Sequence, residues 1–192
     1  MTGLFFYYLY LLIFWGGVRR YLNLPEVIEE LWLKPVIWLL PLMLWNYSLR
    51  QRITVVDGRN WFKSVLVGLI VGLFYFIVVG GFRKSSVWFS FDHFGIALST
   101  AVVEEVVFSG FVFCFLFRRL KGLVFSIVVT ALMTTILHLP ILFFGYTLPF
   151  ETILFALIFI FGYSMINAYI RSVTGNILGS IVARTILLLA IF

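Results

Sequence analysis

Long uncharged apolar runs, separated by short connections that carry the basic residues, constrain this chain more than any other feature. Of its 192 residues, 63% are hydrophobic and only 11% are charged, and the mean hydropathy is +1.12. Runs of this length are typical of membrane-spanning helices and differ from the alternating pattern of a membrane β-barrel. The sequence predicts an all-α fold, a polytopic transmembrane helix bundle with about seven spans in a range of roughly six to eight.

The connection between the first two spans differs from the other connections. It runs from Arg19 to Lys34 and mixes carboxylates, among them Glu29 and Glu30, with Leu, Val and Ile. This pattern predicts a short amphipathic helix on the membrane surface with solvated carboxylates. The expected spans are residues 3–18, 33–49, 62–81, 95–117, 122–144, 148–168 and 177–192.

The formal net charge of +6 does not indicate a nucleic-acid partner, because the basic residues fall at span ends, where they contact lipid headgroups. We expect a multi-pass protein of the cell membrane, with the lipid bilayer as a partner and no nucleic acid. The single cysteine, Cys114, lies between two phenylalanines. It is expected to be a buried apolar side chain rather than a thiol catalyst.

Two adjacent carboxylates, Glu104 and Glu105, interrupt the fourth apolar run. A charged side chain at the centre of a bilayer costs about 2.5–3.5 kcal/mol on insertion scales, so such residues face polar partners inside a bundle and mark functional sites. His138 and Arg184 are the polar residues expected at the same depth. At about 1.5 Å of rise per residue, Glu104, His138 and Arg184 lie roughly 15, 9 and 12 Å from span ends on one side of the membrane.

Several hydroxyl side chains recur four residues apart in the last spans, the spacing of one helix face. Most are expected to bond to carbonyls of their own helix and to help helices pack. Ser109, Thr134 and Ser180 each lie four residues from a charged or imidazole side chain. These three residues are our candidates for substrate binding.

Gly68 and Gly72 form a GxxxG pair in the third span. This spacing lets two helices approach closely. It favours packing within the bundle, with dimerisation as the alternative.

Glu104, Glu105, His138 and Arg184 together have the groups of a water-activating hydrolase. A carboxylate takes a proton from water, an imidazole holds that water or donates to the leaving group, and a cation stabilises an oxyanion. No metal and no cofactor is expected, because a closed zinc site generally needs another ligand and Arg184 would repel a cation.

The segments VEEVVFSGFVF, ILHLP and RSVTGNILGSIVARTILL resemble those of the CPBP family of intramembrane glutamate proteases, also known as the CAAX-protease and Abi family. The resemblance covers about residues 91–189 and implies that Glu104 and Glu105 are the family's paired carboxylates and that His138 is its first histidine. It also implies a peptide or protein substrate, prenylated or membrane-embedded. On this basis residues 91–192 form a CAAX-protease-like catalytic core, and residues 1–90 form N-terminal transmembrane helices with an interfacial segment.

Four positions differ from the family pattern: Ser109 replaces an Arg, Thr134 a Phe, Arg184 a second His and Leu188 an Asn or a similar residue. Arg184 is expected to compensate for the Arg absent at Ser109, either by pairing with Glu105 or by stabilising an oxyanion. Three functions remain open. The first is an intramembrane endopeptidase, the second a proteolytically inactive bacteriocin-immunity or membrane scaffold protein, and the third an ion-coupled carrier.

Overall fold

The structure is a computed structural model that describes residues 2–22, 24–49, 53, 60–82, 91–145 and 148–191. Within these ranges the chain forms helices and no strands, which confirms the predicted all-α bundle. Four of the helices are long and apolar enough to cross a membrane, judged by length and composition, and the last helix is shorter but also apolar. The protein is therefore a polytopic helical membrane protein.

The described residues form seven continuous helical segments, three of which contain a π-helical stretch. Each expected span corresponds to one segment, although several ends differ by a few residues. The second segment begins earlier than expected because the connection predicted to be a separate surface helix continues directly into it. The segments are α1 (Thr2–Tyr21), α2 (Glu26–Ile28, Glu29–Leu33 and Lys34–Ser48), α3 (Trp61–Phe82), α4 (Phe91–Glu105, Val106–Val112 and Phe113–Leu120), α5 (Leu123–Pro140 and Ile141–Gly145), α6 (Phe150–Thr174) and α7 (Leu178–Ile191).

The three π-helical stretches all lie close to the polar residues identified in the sequence. One contains Glu29 and Glu30, one begins directly after Glu105, and one begins shortly after His138. The last of these follows Pro140, which has no N–H to continue the hydrogen-bond ladder. Such widened turns are frequent at functional sites because they re-aim neighbouring side chains.

Helix α4, which carries the paired carboxylates, is the central helix of the bundle. In its most apolar stretch 78% of the residues are buried, compared with 22–39% in the other three long apolar helices. The other helices therefore separate α4 from lipid. This position makes two adjacent carboxylates tolerable, because both face protein rather than hydrocarbon.

An aromatic core joins α1 and α2 to the central helix. The Trp15 and Trp38 rings meet edge to face with their centroids 5.8 Å apart, and Trp38 meets Phe108 in the same way at 6.1 Å. Trp15 is 3% exposed and Trp38 is 1% exposed. The N-terminal helices are thus packed firmly against the part of α4 that contains the carboxylates.

Helices α3 and α7 approach each other through small residues. A Cβ atom built on Gly68 would lie 2.3 Å from the carbonyl oxygen of Gly179, and one built on Gly72 would lie 2.6 Å from Ile186 Cδ1. The GxxxG pair therefore serves packing within the bundle, as the sequence favoured. It holds α7, and with it Arg184, close to the centre of the protein.

Replacing Gly68 with alanine is expected to destabilise the protein by about 1–3 kcal/mol, the usual cost of overpacking. The added methyl group would collide with the backbone of Gly179, which has no flexible side chain to move away. The measurement is the melting temperature of the detergent-purified protein. Gly80→Ala, in the same helix, is the control because no atom lies within 4 Å of its added Cβ. Equal melting temperatures for the two variants would contradict this packing.

Candidate functional site

Glu104 lies at the centre of a buried charged cluster. Its Oε1 accepts a hydrogen bond from Lys34 Nζ at 2.7 Å and lies 3.7 Å from His138 Nε2, and its Oε2 is paired with the Arg184 guanidinium. Glu104 is 4% exposed. The structure thus brings together Glu104, His138 and Arg184, the three residues that the depth argument placed at one level.

The orientation of His138 is set by its own helix. His138 Nδ1 lies 2.8 Å from the carbonyl oxygen of Thr134. Because a carbonyl oxygen only accepts, Nδ1 carries the hydrogen, and in the neutral ring Nε2 is left as an acceptor. The 3.7 Å between Nε2 and Glu104 Oε1 is too long for a direct hydrogen bond, and a water placed between these atoms can donate one hydrogen to each.

Arg184 pairs with Glu104 and not with Glu105, so the expected pairing with Glu105 is wrong. The guanidinium carbon lies 4.0 Å from the ring centroid of Tyr163, which fixes its plane by a cation–π contact. Its Nε is buried and has no hydrogen-bond partner among the residues that the structure describes. Among these residues, one donor of the guanidinium is therefore left without an acceptor.

Glu105 has neutral partners. Its Oε1 accepts a hydrogen bond from Asn167 Nδ2 at 2.6 Å, and its Oε2 accepts one from Ser109 Oγ at 2.5 Å. A small polar cavity of about 10 Å³ lies beside it, lined partly by Thr130 and Ser164, and is about large enough for one water. The two adjacent carboxylates therefore face different surroundings, one ionic and one neutral.

The three hydroxyls expected to bind substrate all bond within the protein. Ser109 donates to Glu105, Thr134 donates to the carbonyl oxygen of Thr130 at 2.9 Å, and Ser180 donates to the carbonyl oxygen of Asn167 at 2.8 Å. Their role in substrate binding stays a prediction. The bonds of Thr134 and its neighbours to their own helix agree with the helix-bonding alternative for most hydroxyls.

The carboxylates of the connection from Arg19 to Lys34 were expected to be solvated, and this expectation is wrong for two of them. Glu29 and Glu30 are 3% and 5% exposed. Arg19 pairs with both, at 2.5 Å to Glu29, and Lys34 Nζ lies 2.7 Å from Glu30 Oε2. The reason is that this segment is the start of α2 and packs against α4, where Arg19 of α1 and Lys34 of α2 pair with its carboxylates.

Glu29 and Glu30, which lie outside the candidate spans, have opposite pKa shifts. Burial raises the pKa of Glu29, and the nearby Arg19 only partly offsets that effect. Burial also acts to raise the pKa of Glu30, but Lys34 and Arg19, with a hydrogen bond from Thr100, hold it below its usual value. Of the two carboxyls, Glu30 therefore has the lower pKa and the stronger preference for its ionised form beside Lys34.

The sequence did not lead us to identify three residues as part of the site, namely Glu30, Lys34 and Asn167. A signal existed for the first two, since Glu30 and Lys34 have opposite charges at the i,i+4 spacing of a helix face. For Asn167 the signal was an amide in the middle of a long apolar helix, where polar residues are costly. Neither signal identified the partner residue. Lys34 contacts Glu104 and Asn167 contacts Glu105, and both of these carboxylates come from another helix, α4.

A cavity of about 310 Å³ opens beside Glu104 and His138. Its polar end holds these two residues with Lys34 and Arg184, and most of its wall is apolar. Within the described ranges, no group of three or more His, Cys, Asp and Glu side chains could hold a metal ion. An apolar segment of a substrate could lie along the wall with a polar bond at the charged end. The apolar wall of the cavity includes Ile96, Leu142, Phe159, Ile160 and Leu188.

A comparison with known protein families identifies the family of this chain. A family model described as type II CAAX prenyl endopeptidase Rce1-like matches residues 86–189, more than half of the chain, and these residues include Glu104, His138 and Arg184. No curated protein and no solved structure matches the chain. The chain therefore belongs to the Rce1-like family of type II CAAX prenyl endopeptidases and is a multi-pass membrane protein of the CAAX-type intramembrane protease kind.

Proposed function

We propose that the protein is an intramembrane endopeptidase that hydrolyses peptide bonds with a water activated by Glu104 and assisted by His138. The observation that carries this proposal is the 3.7 Å separation of Glu104 Oε1 and His138 Nε2 at the polar end of the apolar cavity. A water between these atoms is held by two acceptors, which orients its lone pairs toward the cavity.

The reaction needs one proton acceptor and one oxyanion donor. Glu104 takes a proton from the water, whose oxygen forms a bond to the carbonyl carbon of the substrate. The Arg184 guanidinium, whose Nε–H has no partner among the described residues, stabilises the oxyanion. As the C–N bond breaks, the proton is delivered to the leaving amine. Each carboxylate oxygen has two lone pairs, so the contact with Lys34 leaves Oε1 able to accept.

The proposal also includes residues with a supporting role, namely Glu105, Ser109, Thr134 and Ser180. Glu105, bound by Ser109 and Asn167, fixes the turn of α4 that presents Glu104. Thr134 fixes the ring of His138 through its carbonyl. We assign these residues to the support of the catalytic group and of the bound substrate.

The substrate proposed is a peptide or protein with an apolar segment at the scissile bond, prenylated or embedded in the cell membrane. The apolar wall of the cavity supports this choice because it would bury lipid-like chains favourably. The cavity volume of about 310 Å³ falls at the lower end of ligand sites in proteins. One lipid-like group of such a substrate is of suitable size.

A proteolytically inactive family member, acting in bacteriocin immunity or as a membrane scaffold, is the second candidate. The observation that favours it is that both oxygens of Glu104 already have cationic partners, Lys34 and Arg184. In this alternative the charged cluster holds the bundle together, and the cavity binds a partner's apolar segment without cleaving it.

The two candidates are separated by a cleavage assay on the detergent-purified protein. The probe is a fluorogenic peptide that ends in a prenylated cysteine tail, and the same peptide without the prenyl group is its control. We expect turnover that needs Glu104 and that a metal chelator does not reduce. Absence of turnover above the level of a Glu104→Gln variant, for both peptides, would exclude the endopeptidase and favour the inactive candidate.

A further inference from the structure

Lys34 lies outside the residues that match the family and yet contacts the proposed catalytic carboxylate. Its Nζ is 2.7 Å from Glu104 Oε1 and 2.7 Å from Glu30 Oε2. The residue is 3% exposed. An ammonium group is thus fixed between a carboxylate from α2 and one from α4.

The surroundings leave the ammonium group little freedom. Its Nζ lies 5.6 Å from the ring centroid of Trp15 and 5.1 Å from that of Trp38, both at distances where a cation is attracted to the ring face. Glu30 is itself held, since its Oε2 accepts a hydrogen bond from Thr100 at 2.7 Å. Lys34 is therefore anchored by a second carboxylate, which is itself held in place.

We propose that Lys34 is a positioning residue for Glu104, anchored by Glu30, and that α1 and α2 thereby complete the active site. This inference rests on the proposed endopeptidase function. Lys34 contacts Oε1, the oxygen that also faces His138, whereas Arg184 contacts Oε2. The two cations together fix the plane of the carboxylate. With Arg184 alone, the carboxylate could rotate and turn Oε1 away from the imidazole.

The cations of the cluster and the carboxylates that they contact are equal in number. The effect of Lys34 on the position of Glu104 can therefore be tested separately from its effect on the stability of the fold. Removing only the lysine leaves a buried carboxylate without compensation and destabilises the fold. Removing Lys34 and the charge of Glu30 together takes away one charge of each sign. The cations are Arg19, Lys34 and Arg184, and the carboxylates that they contact are Glu29, Glu30 and Glu104.

The experiment measures kcat, KM and the melting temperature for Lys34→Met and for the double variant Lys34→Met/Glu30→Gln. We expect kcat of Lys34→Met to fall about a hundredfold, the cost of misplacing a catalytic group by about 1 Å. KM should change less than about threefold, since the ammonium group is directed to Glu104 rather than to the apolar wall. The double variant should regain most of the melting temperature but not kcat.

Three results would overturn the inference. The first is an unchanged or increased kcat in Lys34→Met, and the second is recovery of kcat together with stability in the double variant, which would make Lys34 merely structural. The third is measured without turnover, from the melting temperatures of Lys34→Met, Glu104→Gln and the variant that combines them. For groups in contact, the two single shifts in melting temperature should not add up to the shift of the combined variant. Additive shifts would refute the contact.

These outcomes are distinct from a failure of the proposed function. If the unmodified protein shows no Glu104-dependent turnover, the endopeptidase and the positioning role both fail, while non-additive melting temperatures would still assign Lys34 to a structural pair. If the unmodified protein cleaves peptide and Lys34→Met retains kcat, only the positioning role fails.

Discussion

Glu104→Gln is expected to reduce kcat for peptide cleavage by about 10²–10⁴-fold, the usual contribution of a general base. Glutamine keeps the shape of the side chain, and its carbonyl oxygen can still accept from Lys34, but an amide does not take a proton from water. The loss should appear in kcat more than in KM, because the carboxylate acts on water rather than on the apolar part of the substrate.

The matched control for this variant is Glu151→Gln, which removes a carboxylate from an exposed position in the first turn of α6. It should leave kcat unchanged. Glu105→Gln is expected to lose less activity than Glu104→Gln, because Glu105 is bound by Ser109 and Asn167, whereas Glu104 is the carboxylate that lies 3.7 Å from His138 Nε2. Retention of full activity in Glu104→Gln would remove Glu104 from the mechanism.

Arg184→Met is expected to destabilise the protein by about 3–5 kcal/mol, the usual cost of removing one partner of a buried ion pair. Arg184 is 3% exposed, and it pairs with Glu104 and stacks on Tyr163. The variant should accumulate poorly in the membrane and, in detergent, melt at a lower temperature. Any purified protein should lack cleavage activity, because the oxyanion loses its donor.

A second variant separates the loss of stability from the loss of chemistry. Glu104→Gln/Arg184→Met removes both members of the pair and should recover much of the melting temperature without recovering turnover. Arg119→Met, at an exposed position near the end of α4, is the control for loss of a positive charge. The pairing would be refuted if the double variant were as unstable as the sum of the two single variants.

The sequence alone determined the helical bundle and the depth of its polar residues. Uninterrupted apolar runs leave the helix as the only spanning structure consistent with their length, because every backbone polar group must be bonded within the segment. The fixed rise per residue then placed Glu104, His138 and Arg184 at one level, and the structure brings these three side chains together.

Only the tertiary structure decided which carboxylate each partner meets. Neighbouring residues on a helix point about 100° apart, so Glu104 and Glu105 face different helices, and the sequence contains no information on how α4 is rotated against α6 and α7. The sequence analysis therefore gave pairing with Glu105 as one of two roles for Arg184, whereas the carboxylate that Arg184 contacts is Glu104. Asn167, the partner of Glu105, was not identified for the same reason.

The charges of α2 show a second limit of sequence reasoning. An amphipathic pattern is the same for a helix that lies on a membrane surface and for one that docks on a bundle. Glu30 and Lys34 are buried only because aromatic packing through Trp15 and Trp38 seats α1 and α2 on the central helix. That long-range packing, which no local spacing encodes, brings a lysine from the N-terminal part of the chain onto Glu104.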